Sequence, residues 1–215
     1  MSTAPEDLAP FLRPTAYIDS DSAPIEELAE ALRKPQPRET SIALFDEVRD
    51  RIRYDPFAAM DPPESYRASA ILARGSGYCI QKAVLLAALG RAADIPTRLG
   101  FADVRNHKVS PRLREAMGTD LFVFHGYVEF HIEGAWLKAT PAFDAETSRR
   151  IGVLPLELDG IGDAMFHPVD PQGAPFMDYV QDRGTYADLP LEEIVATFTE
   201  VYADSLLTRD TEDEG

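Results

Sequence analysis

One cysteine among 215 residues stands at Cys79, where the loop Gly75-Ser76-Gly77 passes through Tyr78 into a segment rich in helix formers. In the first turn of a helix a thiol faces unpaired backbone N–H groups and the positive end of the helix dipole, and both favour thiolate. Position alone therefore suggests a nucleophile, against the plainer alternative of a small buried apolar residue. Such a nucleophile needs a base, and the chain offers four histidines: His107, His125, His131 and His167.

The elements around these residues follow from periodicity. Ile80, Ala83, Val84, Ala87 and Ala88 form one stripe, widened by Leu85, Leu86 and Leu89, so the helix that begins at Cys79 is expected to be buried and to end near Asp94, before Ile95-Pro96. Residues 97–104 then alternate as a strand does. Leu121 to Ile132 is longer and strongly β-prone, Glu133-Gly134 makes a two-residue turn, and Ala135 to Thr140 returns. With that turn as the loop, His131 faces Trp136, Glu129 faces Lys138, Tyr127 faces Thr140 and His125 faces Ala142. One face of the hairpin carries His125, Tyr127, Glu129, His131, Trp136, Lys138, Thr140 and Ala142. The other, with Phe122, Phe124, Val128, Phe130, Ile132 and Leu137, is the expected core side, and a bulge would reverse the assignment.

Taken together these residues carry a resemblance. A glycine loop, Tyr78-Cys79, an Ala/Leu-rich helix and Ala92-Ala93-Asp94-Ile95-Pro96-Thr97-Arg98 come first. His125-Gly126-Tyr127-Val128-Glu129, a turn, Trp136 and Pro141 follow. From roughly Ser65 to Asp144 this resembles the core of the transglutaminase-like superfamily, within the wider papain-like group of thiol enzymes. The resemblance implies an α+β, papain-like fold with a central nucleophile helix packed on an antiparallel sheet. It also implies Cys79 as nucleophile, His125 as base and an acidic residue on the returning strand. Here the chain departs from the pattern, because Thr140-Pro141 stands where the family has aspartate before proline. Asp144 on the same face is the better chemical candidate for third member and Thr140 the alternative, since a hydroxyl accepts a hydrogen bond but brings no charge. Tyr66, Gln81, Asn106, His107 and Trp136 are candidates for lining the substrate cleft. The implied chemistry is attack on a peptide or isopeptide-like amide through an acyl-enzyme, with hydrolysis preferred to amine transfer. A catalytically silent binding module is the opposing reading.

Composition narrows the partners. A formal net charge of −16 disfavours nucleic acid and anionic membrane, which need a concentrated cationic face. A lone cysteine cannot close an internal disulfide, the start lacks a signal-peptide pattern, and no window approaches 18 apolar residues. A cytoplasmic protein acting on a peptide or protein amide is the resulting expectation, with no cofactor and no metal. The four histidines show no ligand spacing on one helix. Asp19-Ser20-Asp21 lacks the glycine and closing glutamate of a calcium loop, and Asp159-Gly160-Ile161-Gly162-Asp163 matches no phosphate loop.

The remaining chain reads as support. Residues 1–64 form a helical extension, with helices over Pro24 to Leu32 behind Ser22, over about Ser41 to Arg53, and from Asp61-Pro62-Pro63 to Ala73. Beyond the core at about 65–144, residues 145–207 are expected to wrap the body within one domain. That stretch includes an aperiodic segment from Ile151 to Gly184 and a final amphipathic helix, Leu191 to Tyr202, with Ile194, Val195, Phe198, Val201 and Tyr202 inward. Residues 208–215 form an acidic tail that composition marks as disordered.

Overall fold

The structure, a computed structural model, describes residues 6–58 and 62–202. The chain start through Pro5, the helix start expected at Asp61 and the acidic tail lie outside the described residues. Ahead of the cysteine come helices α1 (Ala23–Leu32), α2 (Pro37–Arg51) and α3 (Ala68–Arg74), 3₁₀ turns at Ala9–Phe11 and Pro63–Tyr66, and the short parallel strands β1 (Arg53–Tyr54) and β2 (Ser76–Gly77). Helix α2 starts four residues earlier than its apolar pattern suggests, because Pro37 suits the first helical position, where no N–H is needed.

Helix α4 (Cys79–Ala92) is the axis of the molecule. Every residue from Cys79 to Arg91 is buried, as expected for a helix apolar on all sides. Helices α1, α2 and α3 pack on one side of it, and strands β3 (Thr97–Asn106) and β4 (Leu121–Ile132) on the other. Strand β5 (Ala135–Ala139) completes the hairpin and β6 (Met177–Tyr186) adds to the far edge, giving an antiparallel sheet in the order β5-β4-β3-β6. The arrangement is α+β, helices first and sheet second.

The hairpin register is the expected one: His131 pairs with Trp136 and Glu129 with Lys138. Pairing stops at Ala139, and the Thr140 N–H turns to the Ala164 carbonyl. The face carrying Tyr127 and Glu129 is not solvated, since both are buried; Tyr127 lies against Gly100, where any Cβ would stand 2.2 Å from the ring. Three features of the later chain differ from the sequence reading. Helices α5 (Pro111–Met117) and α6 (Ala145–Ile151) are too short to show a period, and the aperiodic 151–184 segment ends in β6, whose two irregular registers with β3 hide strand alternation. Helix α7 (Leu191–Val201) buries Ile194, but Val195 and Val201 face outward, because only one edge of the helix meets the body.

Candidate active site

The approach to Cys79 is built from backbone. Strands β1 and β2 pair Tyr54 with Gly77, and Arg74 Nε donates to the Ser76 carbonyl at 2.8 Å, fixing the loop that delivers the thiol. Tyr78 caps α4 in extended backbone and its N–H donates to Gln81 Oε1 at 3.3 Å, so Gln81 closes a capping box. The Tyr78 and Tyr66 hydroxyls stand 2.6 Å apart. Both sequence candidates, Tyr66 and Gln81, are thus buried struts under the cysteine loop rather than walls of an open cleft.

Around the sulfur two effects oppose each other. Burial raises the thiol pKa, the backbone N–H groups of Gly126, Ile80 and Cys79 itself pull it back, and burial wins, leaving the thiol at about 11. The thiolate expected from the helix start is therefore not the resting form, because desolvation outweighs the donors the position provides. Gly126 also sets the approach of strand to helix: a Cβ there would lie 2.9 Å from Ile80 Cα and 3.2 Å from the Cys79 carbonyl oxygen. The strand carrying the histidine thus touches the first turn of the nucleophile helix backbone to backbone.

His125, next to that glycine, is buried with its ring 5.3 Å from Phe166, and burial lowers its pKa to about 4. Its Nε2 lies 3.0 Å from Thr140 Oγ1. Because the single Thr140 hydroxyl proton goes to the Gly126 carbonyl at 3.3 Å, the threonine oxygen is left to accept from Nε2–H. The neutral tautomer then carries its proton on Nε2 and keeps Nδ1 as the basic nitrogen.

Asp144, the first-choice third residue, is not brought to the imidazole. Once pairing ends, it becomes the N-cap of α6, accepting from Thr147 N–H at 2.6 Å, Thr147 Oγ1 at 3.2 Å and Tyr54 N–H at 3.2 Å. Burial raises its pKa, but these donors and nearby Lys82 more than offset that, so the carboxyl is held below its usual value. Thr140, the first residue past the end of pairing at Ala139, reaches the imidazole instead, and a charged third partner is missing from the contact. Substituting Thr140→Asp should accordingly raise the His125 pKa by one to three units from its depressed value, read by histidine NMR titration. An unmoved titration would mean that residue 140 does not face the ring.

Trp136, His107 and Asn106 lie elsewhere. Trp136 pairs with His131, six residues and roughly 20 Å along the strand from His125, and stacks under the Arg98 guanidinium at 3.9 Å while donating to Glu6. His107, past the end of β3, pairs its Nε2 with Asp178 at 2.7 Å, and Asn106 accepts from Lys108 N–H in the same turn. Alternation places residues on a face but not at a level, which is why Trp136 shared a face with His125 without sharing its site.

Other residues at the site carry no sequence signal. Phe166, from the aperiodic segment, covers the imidazole and stacks on Phe143 at 4.9 Å, which in turn meets Tyr54 edge-on at 4.9 Å. Lys82, one turn beyond Cys79, is fully buried and donates to the Arg49 and Ile52 carbonyls at 3.0 and 2.6 Å, so it closes the end of α2; burial lowers its pKa to about 7. Among the described residues no group of three or more His, Cys, Asp or Glu side chains is placed to hold a metal ion.

A thiol at the start of a buried helix, against the histidine strand of an antiparallel sheet, defines the papain-like class of architecture. The family model for the transglutaminase-like superfamily matches residues 26–141, more than half of the chain, and the chain belongs to that superfamily. Among solved structures it is similar to a protein from Cytophaga hutchinsonii provisionally described as a cysteine protease, with 22% identity and a TM-score of 0.48 over 84% of this chain and 54% of that one. It is also similar to the periplasmic domain of TgpA from Pseudomonas aeruginosa, with 22% identity and a TM-score of 0.42 over 70% of this chain and 51% of that one. The chain thus spans about half the length of each. No curated protein matches it in sequence. No described helix is long and apolar enough to cross a membrane.

Proposed function

We propose that the protein is a thiol hydrolase acting on an amide bond of a peptide or protein, through Cys79 and His125. The observation that carries the reading is Gly126, adjacent to His125 in the chain, which lies against the first turn of the cysteine helix and directs its N–H to the sulfur. As the sulfur attacks the carbonyl carbon, the thiol proton passes to Nδ1 of His125, while the Cys79 N–H at the helix start becomes a donor to the developing oxyanion. The imidazolium then returns that proton to the leaving nitrogen as the C–N bond breaks, leaving a thioester on Cys79. Water, deprotonated by His125, attacks the thioester; the acid leaves and the thiol regains a proton. Thr140 holds the tautomer throughout but adds no negative charge to steady the imidazolium.

That last feature favours a second reading, a binding module whose thiol is inert. Electrospray mass measurement after mixing with a library of peptide coumarylamides separates the two. The hydrolase reading expects coumarin release and a hydroxylamine-labile acyl adduct confined to Cys79, both absent in Cys79→Ala. Wild-type protein that releases no coumarin and carries no adduct across the library would contradict it. Added amine diverting the adduct into a new amide would assign transfer instead. A net charge of −16 supports a partner other than nucleic acid or anionic membrane, and a peptide or protein substrate met in the cytoplasm belongs to the same reading.

A further inference from the structure

Phe124, directly before His125, has φ +55, a left-handed conformation that a bulky side chain disfavours. The other two described non-glycine residues of this kind, Asp94 and Glu133, sit in turns, whereas Phe124 lies inside a strand. It belongs to a bulge: Ala102 pairs with His125 and Val104 with Phe122, so Asp103 alone opposes Val123 and Phe124. On the other edge of β3, Phe101 pairs with Gly184 and Ala102 with Asp182, which leaves Arg183 as the extra residue of β6. Both irregularities close on one buried side chain. Asp103 Oδ1 accepts the Phe124 N–H at 3.0 Å and Arg183 Nε at 2.8 Å, and Oδ2 accepts Arg183 Nη2 at 2.7 Å. The same guanidinium lies 4.6 Å from the centroid of the Phe124 ring.

We infer that Asp103, locked by Arg183, is a positioning residue that holds the strained Phe124 backbone and thereby fixes the position from which His125 presents its ring. Pairing from His125 to the hairpin turn sets the face on which the histidine lies, and the bulge, whose extra residue comes just before it, sets the path of the backbone that enters it. An ion pair that only tied β3 to β6 would not need the backbone N–H of the one strained residue in β4, yet Asp103 takes that bond. Tyr202 supports the same stretch from α7, accepting from Val123 N–H at 3.0 Å and donating to the Leu121 carbonyl at 3.1 Å.

The inference rests on His125 acting as base toward Cys79, and the test separates the two. Iodoacetamide alkylation of Cys79 is followed from pH 5 to 9 in wild type, His125→Ala, Asp103→Ala and Asp103→Asn, with thermal unfolding measured alongside. Asp103→Ala should slow alkylation at pH 5 by at least about tenfold and make its pH slope match that of His125→Ala, because a misplacement of about 1 Å is worth such factors. Asp103→Asn, which keeps an oxygen for the Phe124 N–H, should stay within about threefold of wild type. Should Asp103→Ala not fold, Arg183→Met takes its place and is expected to fall between the two aspartate variants. A lower melting temperature with the wild-type pH profile intact, in Asp103→Ala or Arg183→Met, would overturn the positioning role while leaving the Cys79 and His125 reading standing. If wild type and His125→Ala already share one profile, it is the reading of the pair that fails.

Discussion

Between pH 6.5 and 4 the protein should lose about 3 kcal/mol of folding stability to one imidazole. His125 is buried beside an aromatic ring and a neutral hydroxyl, with no carboxylate bonded to it, so the folded chain resists its protonation until about pH 4. The unfolded chain protonates the same group near 6.5. Within that window the unfolded state binds a proton that the native state does not, so stability rises with pH there and drains away as pH falls through it. Above 6.5 both states are neutral and the contribution is complete. Urea titrations at half-unit pH steps measure the slope, and His125→Gln, which keeps a hydrogen-bonding side chain but cannot titrate, should flatten the difference across this window. Parallel curves for wild type and His125→Gln would mean that the imidazole is solvated or paired with an acid.

Replacing His125 by alanine should slow alkylation of Cys79 by about a hundredfold at pH 5 and about tenfold at pH 6. With a thiol at about 11 and an imidazole at about 4, the two resting values alone would make proton transfer between them about a one-in-ten-million event. Attraction between a thiolate and an imidazolium about 4 Å apart, the separation that the proposed pair requires, is worth about 4 kcal/mol at an effective dielectric constant of about 20, or about three pKa units. The ion pair then amounts to about one molecule in ten thousand. Because the ion pair and the neutral pair hold the same number of protons, that fraction does not change with pH. A lone thiol with its pKa near 11 loses a factor of ten in thiolate for every unit below it, so the advantage of the pair grows as the solution is made more acid. Equal rates for the two proteins at pH 5 would leave Cys79 as a buried helix residue and His125 as a bystander.

Which parts of this were legible in the sequence follows from what each signal encodes. The buried helix from Cys79 and the hairpin register were readable because apolar periodicity and a two-residue turn are local, but that register set Thr140 and Asp144 alike diagonal to His125 and did not choose between them. The choice of Asp144 over Thr140 rested on chemistry, but its position depended on where pairing stopped. Once the chain leaves β5 at Ala139, Asp144 is drawn to the free N–H groups of a helix too short to announce itself. Phe166 covers the imidazole from a segment without periodicity, so nothing in its spacing marks it. Burial of the sulfur is likewise a property of assembled neighbours, which is why a helix start predicts thiolate and the folded site holds a thiol. The bulge at Phe124 left the pairings from His125 onward unchanged because its extra residue comes before the histidine.

The most direct test is the slope of the logarithm of the Cys79 alkylation rate against pH between 5 and 7. A sulfur that hands its proton to the neighbouring imidazole gives a flat line in wild type and a slope of one in His125→Ala. A slope of one in both proteins would contradict the account, because it would show that the sulfur gives its proton to water alone.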